Sequence, residues 1–280
     1  MKKPMNKTLV TALVSALGLV SSAAMAQTAV FPDFRINEGA MVGSLPNTFT
    51  ADKITGNYVE VITFAGPASG GTFNVSLRWN AGQFVGNDGT SPVNSQLGGT
   101  TGNQYGLYAL YQGSGLYSSN GTQTTFSFTP GGSLRLFSDP NSDTTFNQPA
   151  NGSTAFTTGN AGDDTLYATG VPTSGQGRLD PTLTTCGTAG GSGINCGSFG
   201  TSTTFNVTTA GAAYFADPNP FYQLSFQSGQ LNNFSPTGTQ VINGSLDVVF
   251  GGSAVPEPAS IALIGLGLMG LAVSRRRKQT

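Results

Sequence analysis

Apolar and polar side chains alternate with period two over much of residues 27–254. Phe73, Val75, Leu77 and Trp79 alternate with Thr72, Asn74, Ser76 and Arg78. Successive strand side chains point to opposite faces, so this spacing predicts a half-buried strand. Tyr222, Leu224 and Phe226 against Gln223, Ser225 and Gln227 predict a second, with the apolar set facing the core. Leu246, Val248 and Phe250 against Ser245, Asp247 and Val249 predict a third. Weaker alternation marks residues 58–64, 105–111, 124–128, 133–137 and 203–207. Turn-forming clusters separate these segments, among them Asn87-Asp88-Gly89, Asn120-Gly121 and Pro130-Gly131-Gly132.

In residues 27–254 no apolar stripe of helical period runs beyond a few positions. One apolar face per strand implies antiparallel sheets packed face to face, and the expected fold is all-β, a sandwich or jelly roll. An outer-membrane barrel would also alternate, but the uneven spacing of the segments and a basic C-terminal stop argue against one. Residues 138–202 hold long stretches without strand character and are expected as loops on one edge, unless a second small domain forms there.

Composition changes the picture in two ways. The 280 residues include 40 glycines but only 9% charged residues, with Ser, Thr, Asn and Gln filling the surface instead. The 38% of hydrophobic residues still suffice for a core. Charge is also unevenly placed. Lys2, Lys3 and Lys7 lie at one end and Arg275, Arg276, Arg277 and Lys278 at the other, which leaves residues 27–254 with five basic and 12 acidic residues. An acidic body nearly free of lysine offers no footprint for nucleic acid or for an anionic membrane surface.

The two ends read as addresses. Lys2, Lys3 and Lys7, the apolar stretch 8–20 and the small residues Ala24-Met25-Ala26 form a secretory signal over residues 1–26. Signal peptidase is expected to cut before Gln27, the alternative being a retained N-terminal anchor. At the other end Val255-Pro256-Glu257-Pro258 is extended by its two prolines. Residues 261–273 follow without a charge, and then the Arg275–Arg277 cluster with Lys278, which holds that end in the cytoplasm. As a helix the apolar run spans roughly 20 Å, short of a comfortable membrane crossing and suited to a temporary anchor in the inner membrane. Gly265, Gly267 and Gly270 fit the spacing of a dinucleotide loop, but the chain ends before the helix and acidic residue such a loop requires.

This order of parts resembles the PEP-CTERM sorting signal recognised by exosortases, with an ordinary tail anchor as the alternative. The resemblance implies an exported protein of three segments: signal peptide 1–26, β-rich extracellular domain 27–254 and sorting segment 255–280. It implies cutting of the tail by a membrane-embedded exosortase, and release to the surface or matrix of a Gram-negative cell that makes extracellular polysaccharide.

Little catalytic chemistry is open to the body. Without histidine there is no Ser-His-Asp or Cys-His system and most zinc and copper sites are excluded. Lys53 has no serine motif beside it. Paired carboxylates for glycoside hydrolysis would have to come from Glu38 and Glu60 or from Asp163 and Asp164. The expectation is a non-catalytic protein without a cofactor. Calcium is the one metal to weigh. Asp139, Asn141 and Asp143 fit the first half of a calcium loop, but Thr144 and Ala150 stand where its glycine and bidentate glutamate belong, and a solvated turn is the simpler reading. Cys186 and Cys196 close a short glycine-rich loop and, in an exported chain, are expected to pair. Asn-x-Ser/Thr sequons at Asn74, Asn120, Asn151, Asn206, Asn233 and Asn243 are frequent in any sequence this rich in those residues. Trp79 could stack on a sugar, but its position beside Phe73, Val75 and Leu77 favours the core.

The stretches 49–64, 71–84 and 103–111 are similar to flocculation-associated PEP-CTERM proteins. That similarity implies a role in holding cells and exopolysaccharide together, and carries no binding residues over to this chain. Its rival is a lectin-like module on the loops 138–202, with or without a calcium requirement.

Overall fold

The computed structural model describes residues 31–41, 43–98, 105–186 and 195–251; the segments 1–26 and 255–280 lie outside them. Among the described residues the chain runs through β1 (Phe34–Asn37), β2 (Thr48–Ala51), β3 (Lys53–Ala65), β4 (Gly70–Gly86), β5 (Ser91–Pro92), β6 (Gly106–Ser119) and β7 (Thr124–Asp139). There follow β8 (Thr145–Asn147), β9 (Thr157–Gly159), β10 (Thr165–Gly170), β11 (Pro172–Leu179), β12 (Gly197–Thr204) and β13 (Asn206–Val207). A one-and-a-half-turn helix, α1 (Thr209–Tyr214), precedes β14 (Phe215–Asp217), β15 (Leu224–Leu231) and β16 (Thr239–Gly251). The fold is all-β and antiparallel, as the alternation predicts.

The two packed layers expected of a sandwich are opposite walls of one sheet. β3, β4, β6, β7, β11, β12, β15 and β16 pair antiparallel in that order, and β16 returns to β3. The sheet closes as an eight-stranded barrel with its strands in chain order, which removes exposed edges. Apolar side chains point inward and polar ones outward, the reverse of the lipid-facing band of an outer-membrane barrel.

Closure rests on β11, which lies in the region expected as loop. Its sequence Pro-Thr-Ser-Gly-Gln-Gly-Arg-Leu shows no apolar alternation because two of its inward positions, 175 and 177, are glycines. Gly175 stands opposite Phe128 and Gly177 opposite Phe126 and Phe199, so neighbouring rings cover the gap that two missing side chains leave. Uneven strand spacing is therefore no obstacle to a barrel here.

Two further corrections follow from register. Residues 124–128 and 133–137 belong to the single strand β7. Pro130-Gly131-Gly132 is a bulge inside it, with Gly131 and Gly132 at φ +116° and +100°. The bulge lets the first half of β7 pair with β11 and the second half with β10. In β15 the expected face is inverted. Phe226 is 37% exposed on the outside, while Ser225 and Gln227 are buried within the barrel. They are satisfied there by β12: Thr201 donates to Gln227 Oε1 at 2.8 Å, and Gln227 Nε2 donates to Thr203 Oγ1 at 2.9 Å and Ser225 Oγ at 2.7 Å. Buried polar groups survive when paired in this way.

Aromatic rings fill both ends of the barrel. Around Phe250 gather Phe34 and Phe215 from the small β14–β1–β2 sheet, with Phe205 from the β12–β13 junction and Phe221 from the connection before β15. Around Phe64 gather Tyr117, Phe126 and Phe234. Such ring pairs each contribute about 0.5–1.5 kcal/mol beyond their burial. Trp79 belongs to this core, donating its Nε1–H to Leu246 O at 3.0 Å.

Candidate saccharide groove and sorting segment

The long connection from β7 to β10 forms a strap across the outside of the barrel, stiffened by the β8–β9 hairpin. Gly152 N donates to Thr63 Oγ1 at 2.9 Å and Gln112 Nε2 to Ser153 O at 3.3 Å, which tie the strap to β3 and β6. The contact needs a glycine, since a Cβ at position 152 would run into Asn74 O. Phe146 of the strap reaches down between Arg78 and Tyr108. Its ring lies 4.6 Å under the Arg78 guanidinium and 4.9 Å from the Tyr108 ring, edge to face.

Beside the strap opens a groove of about 440 Å³, bounded by Tyr108, Leu110, Arg135, Phe137, Phe156 and Asp164, with Thr157 and Thr158 on its rim. Register builds its floor and sets the β4 residues beside it. Arg78 pairs with Leu110 and Leu110 with Arg135, so the three lie in a row across β4, β6 and β7. Asn80, Tyr108 and Phe137 form the adjacent row, with the last two rings stacked at 5.2 Å. The Arg135 guanidinium lies 4.8 Å over the Phe137 ring. Asp164 accepts from Tyr108 Oη at 2.5 Å and from Thr144 Oγ1 at 2.9 Å. Burial raises its pKa above the usual carboxylate range, and Asp139 and Asp163 add to that against the lowering effect of the two donors. A groove of this make-up offers flat apolar rings, hydroxyls, a carboxylate and a guanidinium within one small space.

The barrel interior holds a different constellation. Glu60 points into a cavity of about 40 Å³ lined also by Tyr111, Phe199, Thr201, Ser225 and Gln227, room for about two waters. Its carboxyl makes no hydrogen bond to the described residues, and burial pushes its pKa up to about 8.

The candidate carboxylates do not converge. Glu38 is fully buried, accepting from Asn47 Nδ2 at 2.7 Å, Gln96 N at 2.8 Å and Tyr105 Oη at 2.9 Å, so it fastens the β1–β2 connection to the loop after β5. Asp139 is likewise engaged in its own turn, accepting from Asp143 N at 3.3 Å and Thr144 N at 3.0 Å. Asn141 turns its Nδ2 donor to Asp163 Oδ2 at 2.6 Å. Among the described residues no three acidic, histidine or cysteine side chains are grouped to hold a metal ion. Lys53 pairs with Asp247 at 3.0 Å. Asn151 of one sequon accepts from Ser153 N at 3.1 Å and Thr154 Oγ1 at 3.0 Å. Cys186 and Cys196 form a disulfide with Cα atoms 4.3 Å apart, closing the connection between β11 and β12.

The signal cleavage residues Ala24, Ala26 and Gln27 and the tail residues Val255, Pro256, Glu257, Pro258 and Arg275–Arg277 lie outside the described residues. There, sequence alone decides. Residues 254–278 match the family model described as the PEP-CTERM protein-sorting motif. Those residues carry a PEP-CTERM sorting motif. The motif marks the chain as exported, processed by an exosortase during export, and destined for the cell surface or the extracellular space. No curated protein and no solved structure matches the chain. Among the described residues no helix is long and apolar enough to cross a membrane, and the apolar run 261–273 lies beyond them.

The groove escaped sequence reading because its rows run across strands. Arg78 and Arg135 are 57 positions apart, and only the β4–β6–β7 register sets one Leu110 between them.

Proposed function

We propose that the exported body is a non-catalytic surface or matrix protein that binds extracellular polysaccharide and promotes cell aggregation in flocs and biofilm. The groove beside the strap carries this reading. Sugars present apolar C–H faces that pack on Leu110 and on the edge of the Phe137 ring, and hydroxyls that bond to groups such as Asp164, Thr157 and Thr158. The rest of the outer wall adds weak contacts: Thr125, Ser127, Gln176, Ser198 and Ser228 line a shallow second concavity over β7, β11, β12 and β15. A non-catalytic role is supported by Glu38 being bonded into the fold and Glu60 being enclosed, since glycoside hydrolysis needs two carboxyls flanking an accessible bond.

A second reading makes the groove a discrete lectin-like site, favoured by its small size. Two measurements test the pair. Deleting the gene should reduce aggregation of cells in liquid culture, and purified protein should bind the host's own polysaccharide without shortening it. Unaltered flocs together with no polysaccharide binding would overturn the proposal. Saturable, chelator-sensitive binding to a narrow set of sugars would select the calcium-dependent lectin instead.

A further inference from the structure

We infer that the groove selects sugar residues bearing a carboxylate, with Arg135 as the group that receives it and Arg78 as a second cation behind it. The inference rests on the saccharide reading above and adds the chemical class of the sugar.

The placement of the cations argues for this. The body holds five basic residues among 12 acidic ones. Three of the five are paired: Arg35 with Asp217 at 3.5 Å, Lys53 with Asp247 at 3.0 Å and Arg178 with Asp180 at 2.9 Å. Arg78 and Arg135 make no ion pair among the described residues, although acids outnumber bases by more than two to one. Both lie on this wall, in one row, each against a phenylalanine ring. Unpaired cations in one row on an acidic protein are placed to receive an external anion.

The surroundings of Arg78 strengthen the point. On the outward face of β4, Ser76 Oγ, Arg78 Nε and Asn80 Oδ1 are buried at successive positions without a hydrogen-bond partner among the described residues. Burial lowers the pKa of the Arg78 guanidinium, and the Phe146 ring beside it offsets only part of that cost. An anion in the adjoining groove supplies part of that compensation. Among the described residues none of the nearby acids lies within ion-pair distance of Arg78 or Arg135. Asp164 is engaged by Tyr108 and Thr144, Asp139 by the backbone of its own turn, and Asp163 by Asn141.

Geometry separates a carboxylate from a neutral sugar. A guanidinium offers two parallel N–H donors that match the two oxygens of a carboxylate, and Phe137 beneath Arg135 holds that fork in place. Net charge narrows the class further. A body of charge −7 repels a dense polyanion at long range, so the expected ligand carries its uronate residues spaced among neutral sugars.

The test uses the purified full-length chain in detergent and a panel of oligosaccharides in which glucuronate, galacturonate or mannuronate alternates with neutral sugars. Each is paired with its carboxyl-reduced form, and binding is measured by calorimetry. At least one uronate form should bind tenfold or more tightly than its reduced partner. Arg135→Gln should abolish that preference while leaving the weaker neutral binding intact, and Arg135→Lys should restore only part of it. Phe137→Ala, which removes the support under Arg135 as well as packing surface, should weaken both forms and the uronate form more. Arg135 is exposed, so an unchanged circular dichroism spectrum of Arg135→Gln checks that the fold survives. Equal affinity for every pair, unmoved by Arg135→Gln, would overturn this inference and leave the saccharide reading standing. Failure of every sugar to bind would sink both.

Discussion

Replacing Glu60 with glutamine should flatten the pH dependence of this protein's stability. Inside the barrel burial holds the Glu60 carboxyl at a pKa of about 8, against 4.5 for an ordinary glutamate. Between those values the folded chain keeps a proton that the unfolded chain has released. Stability is therefore highest below pH 4.5 and falls as pH rises toward 8, at about 1.4 kcal/mol per pH unit. The whole excursion is worth about 5 kcal/mol, with about 3 kcal/mol of it spent by pH 7. Against a typical total of about 5–15 kcal/mol this is a large term. Glutamine keeps the shape and cannot ionise. Urea unfolding of both proteins at pH 5 and pH 8.5 isolates the effect, because every other titrating group contributes equally to the two. The wild type should lose about 4 kcal/mol more than Glu60→Gln between these conditions. Parallel losses, within about 0.5 kcal/mol, would show that water reaches Glu60 and that the interior is not closed as described.

Other expectations can be checked with similar means. Gly115→Ala drives a Cβ into Ser127 O and the Phe73 ring and should cost about 1–3 kcal/mol by denaturant unfolding. Gly200→Ala, whose Cβ meets nothing closer than 3.6 Å, should leave the midpoint nearly unchanged; equal effects would refute the packing account. Changing Cys186 and Cys196 to serine together should lower stability by about 3 kcal/mol, from the loop entropy returned to the unfolded chain, read as a fall in Tm. Glu257→Ala, or alanine at Arg275–Arg277, should leave an uncleaved, membrane-retained precursor on immunoblots of fractionated cells. Normal release of both variants would count against the assigned role of those residues.

What the chain's order of residues determines by itself is local. Period-two alternation at Phe73–Trp79 or Leu246–Phe250 announces a strand because neighbouring side chains on extended backbone face opposite ways. The sorting segment is equally local: prolines, an apolar run and an arginine cluster act as a linear signal, and the family match there needs no tertiary structure. The barrel is another matter. Gly175 and Gly177 carry no side chain to alternate, so β11 becomes a strand only when Phe126, Phe128 and Phe199 arrive from its neighbours. Ser225 and Gln227 face inward against their polarity because Thr201 and Thr203 lie opposite and satisfy them. The groove, with Arg135 beside Leu110 and Arg78 in the same row beyond them, exists only through the registers of β4, β6 and β7. A one-residue slip in any of them would turn these side chains to the other face, and no single segment encodes that choice.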